Sequence, residues 1–164
     1  KERLVLLDDH LSRTISYLMN IQARFLFETR FYEKRKEDFV SHETLSEIME
    51  TTQKEAYGNS LETYHPLFWA AKMHFFFTDV PFYNFPYTFG YLFSLGIYRY
   101  ALEKNDFEAL YISLLQDTGR MNVEDLAKKH LKADLSQPHF WDQGLSVIKK
   151  DIDEYIKLSN EVSL

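Results

Sequence analysis

The chain has 164 residues, of which 45% are hydrophobic and 16% aromatic, enough for one domain with an apolar core. It has no cysteine, which excludes disulfide frameworks, thiol catalysis and cysteine-ligated zinc, and which favours a cytoplasmic location. The formal charge of −6 argues against nucleic acid as a partner, because phosphate binding requires a basic surface.

The sequence carries no signal of membrane association. No run approaches the roughly 18 consecutive apolar residues that a membrane-spanning helix needs. The first residues, "KERLVLLDDH", lack the uncharged stretch and the small-residue cleavage site of a signal peptide. We therefore expect a soluble protein without a membrane partner.

Helical periodicity dominates the first third of the chain. From Leu4, apolar residues recur at three- or four-residue steps or multiples of them, which predicts a long amphipathic helix to about Lys36. Ser41 can cap a second helix, with Gly58 just past its end. A third helix is expected to begin at Pro66 and to carry "LFWAAKMHFF", since proline is favoured in the first helical turn.

The rest of the chain also predicts helices. After the irregular "TDVPFYNF", a fourth helix is expected from about Pro86 to Lys104, and Asp106, Asn122 and Ser136 are suitable caps for three more. No stretch shows the alternating pattern of a strand. The sequence thus predicts an all-α bundle of about six to seven helices in which residues 1–164 form a single domain.

The histidines form no recognisable metal motif. "HETLS" at residues 42–46 resembles the zinc-protease motif H-E-x-x-H, but Ser46 stands where the second histidine belongs. His65 and His74 are nine residues apart, so on one helix they would lie on opposite faces. Catalytic zinc needs three protein ligands, and we therefore expect no metal site within this chain.

The segment "KMHFFFTDVPFYNFPYTFGYLFS" is unusually rich in aromatic hydroxyls. In a helix from Pro86, Tyr87 and Tyr91 lie one turn apart on the same face, and the loop before it can bring Tyr83 and His74 towards them. Phenol and imidazole groups of this kind can stabilise a developing oxyanion. Aromatic residues at helical spacing are also typical of an ordinary core, and the pattern alone leaves both interpretations open.

Two glycines interrupt the same predicted helix. Gly90 and Gly96 each cost about 1 kcal/mol of helix stability relative to alanine. Their presence suggests that a neighbouring helix or an extended ligand approaches the backbone closely. The tyrosine-bearing helix is therefore expected to lie against another element or against a bound chain.

The strings "HPLFWAAKMHFF" and "PFYNFPYTFGYLFSLGIY" resemble the C-terminal part of the catalytic domain of oligoendopeptidase F, a zinc metallopeptidase family related to thimet oligopeptidase. The resemblance continues through "LLQDTGRMNVEDLAKKHL" and "QPHFW", and backwards through "RTISYLMNIQARFLFETRFYE". It implies the C-terminal half of a mostly helical peptidase domain. In that family, the H-E-x-x-H helix and a glutamate ligand precede the segment that these strings resemble.

The resemblance also implies roles for individual residues. His74 corresponds to the substrate-side histidine, and Tyr87 and Tyr91, followed by Tyr83, are the candidates for the tyrosines that polarise the scissile carbonyl. Short peptides would be the substrates and zinc the cofactor of the full-length enzyme, and this fragment alone would be inactive. Its partner would be the N-terminal part of its own catalytic domain, and exposed apolar surface would promote self-association. The alternative is a non-catalytic helical module that binds peptides.

Overall fold

A computed structural model describes residues 1–162 and shows an all-helical chain, which confirms the predicted fold class. No strand occurs within these residues. None of the described helices combines the length and the apolar character needed to cross a bilayer. The α-helices are α1 (Glu2–Ile15), α2 (Ile21–Glu37), α3 (His42–Ala56), α4 (Phe85–Ala101), α5 (Phe107–Asp117), α6 (Val123–Leu131) and α7 (Pro138–Val162).

The long N-terminal helix is continuous but not regular. A π-helical turn, Ser16–Asn20, joins α1 to α2, and the N–H of Ile21 donates to the carbonyl of Ser16 in the five-residue pattern of such a turn. The helix from about Leu4 to Lys36 is therefore confirmed in extent. Its periodicity gave no warning of the widened turn.

Two of the predicted caps are confirmed by hydrogen bonds. The Ser41 side chain accepts from the N–H of Thr44 at the start of α3, and the Asn122 side chain accepts from the N–H of Asp125 at the start of α6. Asp106 stands at the cap position of α5 without a side-chain capping bond. Ser136 lies outside α7, whose first residue is Pro138, so that cap prediction is wrong by one position.

The prediction of a helix that begins at Pro66 is wrong. The chain instead forms two short 3₁₀ helices, Phe68–Ala71 and Met73–Phe76, separated by Lys72 in an extended conformation. The apolar residues of this segment do not form a single stripe, because Met73 and Phe76 are exposed while Phe75 packs on Phe27 of α2 at a centroid distance of 4.9 Å. These aromatic contacts override the local helical preference.

The described chain divides into two compact units. The first contains Lys1–Leu11 and the chain from Gly90 onward, and its core forms around side chains from α5, α6 and α7. The second, Ser12–Phe89, packs α2 against α3. The core of the first unit consists of Leu114, Leu126, Ala127, Leu131 and Phe140. That residues 1–164 form a single domain stays a prediction.

In the first unit, Gly96 of α4 faces the ring of Phe140 in α7. A methyl group at Gly96 would lie closer than 3.0 Å to three atoms of that ring. Gly144 of α7 is less tight, since a methyl group there would meet the backbone of α4 at 3.0 Å. The predicted close approach is therefore confirmed at Gly96. At Gly90 no other element of the described chain lies within 4 Å of such a methyl group, so the approach of a bound ligand there stays a prediction.

Candidate functional site

The second unit brings three of the four predicted site residues together. His74 lies in the second 3₁₀ helix, and its ring stacks on Tyr83 at a centroid distance of 5.9 Å with an interplanar angle of 22°. The ring of Tyr83 lies 5.9 Å from that of Tyr87, in the first turn of α4. Tyr91 belongs to the other unit, and its place beside these residues stays a prediction.

The two tyrosine hydroxyls form a hydrogen-bonded pair. The hydroxyl of Tyr87 donates to that of Tyr83 over 3.2 Å, and this bond raises the pKa of Tyr87 above its ordinary value of 10.0. The Tyr87 phenol therefore stays protonated at neutral pH and donates its one proton to Tyr83, whose own O–H can donate to a ligand. Tyr83 is 42% exposed and Tyr87 45% exposed, so neither is an ordinary core residue in this structure.

His74 is held in its neutral form. Burial, followed by the positive charges of Arg24 and Lys72, lowers its pKa from 6.5 to about 4. Its Nε2 atom is buried without a hydrogen-bond partner among the described residues. The neutral imidazole next to the tyrosine pair can therefore donate a hydrogen bond from Nε2 without carrying a charge.

Arg24 of α2 forms the back of this site, and the sequence patterns did not identify it. Its Nη1 donates to Oδ1 of Asn84 over 3.1 Å, and its guanidinium lies 5.3 Å from the centre of the Phe68 ring. Lys72 lies over the same ring at 4.5 Å. Burial lowers the pKa of Arg24, and no ion pair to it is found within residues 1–162.

Glu28, one helical turn after Arg24, fixes the backbone just before Tyr83. Its Oε1 accepts from the N–H of Phe82 over 2.6 Å, and Phe82 adopts a left-handed conformation with φ of 56°. Such a conformation is strained for a bulky residue and persists only where surrounding contacts impose it. Glu28 is therefore a positioning residue for Tyr83.

Glu28 is itself almost completely buried, with 5% of the residue exposed. It lines a cavity of about 160 Å³ whose other walls are mostly aromatic, including Phe31 and Trp69. Burial raises its pKa above 4.5, although the bonds from Phe82 and Tyr32 act in the opposite direction. The ionised carboxylate is thus held at a cost in stability that its hydrogen bonds reduce.

Replacing Glu28 with glutamine should separate its charge from its role as an acceptor. The amide oxygen can still accept from the N–H of Phe82. We therefore expect the free energy of unfolding of Glu28→Gln at pH 7 to equal that of the wild type or to exceed it by about 1 kcal/mol or less, after solvent screening. Because the pKa of Glu28 is raised in the folded state, the wild-type carboxyl contributes most to stability at pH values below its pKa in the unfolded chain. That contribution is lost as the pH rises through the pKa of the folded state. Urea unfolding at neutral and acid pH measures the difference.

The control for that substitution is Glu28→Ala, which removes the acceptor and leaves the N–H of Phe82 unpaired at a cost of about 1 to 3 kcal/mol. If Glu28→Gln were as destabilising as Glu28→Ala at neutral pH, the charge itself would be required. If the stability advantage of Glu28→Gln over wild type widened towards acid pH, the pKa of Glu28 would be lowered rather than raised in the folded state.

The sequence offered one signal for these additional residues. The apolar stripe that passes through Leu18 and Phe25 reaches Glu28 three residues later, and Arg24 is four residues before Glu28. Two charged residues on the buried side of an aromatic helix indicate that each has polar partners elsewhere in the fold. The identity of those partners, Asn84 and the N–H of Phe82, depends on tertiary structure.

The histidines give no metal centre in the described part of the chain. Residues 1–162 contain no group of three His, Cys, Asp or Glu side chains that could hold a metal ion. His42 of the near-motif "HETLS" is exposed and pairs with Glu43 over 2.9 Å. Of the remaining histidines, His130 is buried, with its Nε2 atom 2.8 Å from Asp117.

Comparison of the chain with protein-family models, with curated proteins and with solved structures found no match. The resemblance to oligoendopeptidase F therefore stays a prediction based on the sequence motifs. What the site can do follows from its own chemistry. It places a neutral imidazole and two phenols beside a partly buried arginine, which gives several hydrogen-bond donors and a local positive charge.

Proposed function

We propose that this chain forms the substrate-facing wall of a zinc metallopeptidase that hydrolyses short peptides. The observation that carries the proposal is the contact between the Tyr83–Tyr87 hydroxyl pair and a neutral His74 with an unpartnered Nε2. These groups are hydrogen-bond donors of the kind that stabilise a carbonyl oxygen as it gains negative charge. The motif resemblance to oligoendopeptidase F supplies the reaction class.

In this proposal, the residues of the chain bind and polarise rather than attack. His74 and the tyrosines donate hydrogen bonds to the oxygen of the scissile peptide group, and they do so more strongly as the tetrahedral intermediate forms. The neutral state of His74 is compatible with this role, because a neutral imidazole still carries one N–H and can donate it from Nε2. Tyr91 would complete the set from the following turn of α4.

The described residues do not fit a zinc site, as they contain no suitable group of ligands. The proposal therefore assigns the metal ligands to residues outside this chain, in an N-terminal part of the same catalytic domain. We place the activity in the cytoplasm, which the absence of cysteine from the sequence supports.

The test begins with the residues encoded immediately upstream of Lys1. An H-E-x-x-H motif within a few tens of residues would supply the implied zinc helix. The polypeptide containing both parts is then assayed with a quenched fluorescent peptide, before and after treatment with a chelator and after addition of zinc. Cleavage that is lost on chelation and restored by zinc is the expected result.

Binding of the same peptide without cleavage by the longer polypeptide would overturn the peptidase proposal. It would favour the alternative, a non-catalytic helical module that binds peptides through the same aromatic surface. The half-exposed tyrosines are compatible with that alternative, since phenols are also frequent at peptide-binding surfaces. The cleavage assay therefore decides between the two functions.

A further inference from the structure

Three buried side-chain polar atoms lack a hydrogen-bond partner among residues 1–162, and all three are nitrogens in the second unit: Arg24 Nε, His74 Nε2 and Asn84 Nδ2. Buried polar groups in native proteins are almost always paired, so each exception requires an explanation. The three exceptions share one neighbourhood. Arg24 bonds directly to Asn84, and its charge acts on His74.

The three nitrogens require the same kind of partner. Arg24 Nε and Asn84 Nδ2 are donors only, and His74 Nε2 donates in the tautomer that carries its proton there. A group that satisfies them must therefore be an acceptor. Asn84 is 4% exposed, so its free N–H cannot be satisfied by bulk solvent.

Charge restricts the acceptor further. Arg24 is partly buried and Lys72 lies beside it over the Phe68 ring, yet neither forms an ion pair within the described chain. This occurs in a protein with 25 acidic and 19 basic residues, where carboxylates are abundant. A buried cation without a counter-charge is costly, and an anion that enters the site removes that cost.

From these contacts we infer that Arg24 and Asn84 form a carboxylate-binding site, next to His74, that takes the C-terminal carboxylate of a short peptide. A carboxylate offers two oxygens to a guanidinium edge and can accept from an amide at the same time. Tyr83 links the site to the hydroxyl pair, since it stacks on His74 and precedes Asn84 in the chain. The peptide nature of the ligand rests on the proposed function, whereas the carboxylate site does not.

The binding test uses the 164-residue chain and an N-acetylated tripeptide, prepared as the free acid and as the C-terminal amide. We expect the free acid to bind about ten- to a hundredfold more tightly in calorimetry, the usual scale for hydrogen bonds to a charged group. A third peptide, amidated but with a central glutamate, distinguishes a terminal carboxylate from an acidic side chain. Equal affinity of the acid and the amide would overturn the inference.

Arg24→Met keeps the length of the side chain and removes the guanidinium, so the preference for the free acid should disappear. Arg30→Met is the matched control, because Arg30 lies on the same helix but already pairs with Glu55. The control should keep the preference. Loss of the preference in both variants, or in neither, would contradict the assignment to Arg24.

Asn84→Asp is the more specific variant, because it supplies a carboxylate to Arg24 from within the chain. We expect it to fold at least as stably as wild type in thermal unfolding and to lose the preference for the free acid. Retention of the preference would overturn the inference. So would competition by inorganic phosphate at the same concentration as the peptide acid, which would indicate a general anion site.

The binding test and the peptidase test can fail independently. If the longer polypeptide does not cleave peptides but the isolated chain still prefers the free acid, the carboxylate site stands without the peptidase. If cleavage is observed but the acid and the amide bind alike, the peptidase stands and the carboxylate site falls.

Discussion

Tyr87→Phe and His74→Ala, introduced separately into the longer polypeptide of the proposed peptidase, are each expected to lower kcat by about a hundredfold or more while KM changes little. That is the usual scale for the loss of one oxyanion donor, and an interaction made chiefly in the transition state acts on kcat. The same result is expected for Tyr91→Phe. Steady-state cleavage of a fluorescent peptide measures both parameters.

A matched control is Tyr64→Phe, which removes a phenol hydroxyl that accepts from the N–H of Leu61 in a loop of the same unit. It should leave kcat unchanged. If Tyr87→Phe and Tyr91→Phe kept wild-type kcat but lowered the melting temperature, the tyrosines would be structural. If only Tyr83→Phe lowered kcat, the site would stand with a different order of the tyrosines.

Gly96→Ala is expected to destabilise the chain by about 1 to 3 kcal/mol, even though alanine favours a helix by about 1 kcal/mol over glycine. The added methyl group would overlap the Phe140 ring. That ring is 7% exposed and packs against Phe93 and Trp141, so it cannot move aside without disturbing the core. Midpoints of urea unfolding at constant slope measure the effect.

Gly90→Ala in the same helix is the control, because no atom lies within 4 Å of its added methyl group. It should raise the free energy of unfolding by up to about 1 kcal/mol. Phe140→Leu should recover part of the loss in the Gly96→Ala background, since the smaller side chain leaves room for the methyl group. Equal stability of the two alanine variants would contradict the close packing of α4 and α7.

Local signals predicted most of the helices. The side chains of Ser41 and Asn122 each accept from the N–H of the residue three positions later, and this short-range pattern can be read from the sequence alone. The long N-terminal helix follows from its apolar spacing. The segment from Pro66 to Phe77 could not be predicted in this way, because its shape depends on contacts such as that of Phe75 with Phe27, far away in the chain.

The residues of the candidate site also divide into those that the local sequence predicted and those that depend on tertiary contacts. His74, Tyr83 and Tyr87 were identified because they are close in sequence and chemically distinctive, and the structure places them in contact. Arg24 and Glu28 were missed because their place along the apolar stripe indicates burial but not their tertiary partners, and Asn84 was missed because an amide in a loop carries no signal of burial. Asn84 in particular looks like an ordinary loop residue and is 4% exposed.

The π-helical turn at Ser16–Asn20 sets the angle around the helix axis at which the side chains of α2 lie relative to those of α1. Each residue added to or removed from an α-helix turns the following side chains by about 100° around its axis. Loss of one residue from the widened turn would therefore change the angle of Arg24 and Glu28 around the helix axis relative to the residues before Ser16. Insertions and deletions are usually tolerated best where the chain is irregular, but at this irregular turn a change of one residue would alter the direction of every side chain on one side of the turn relative to the other.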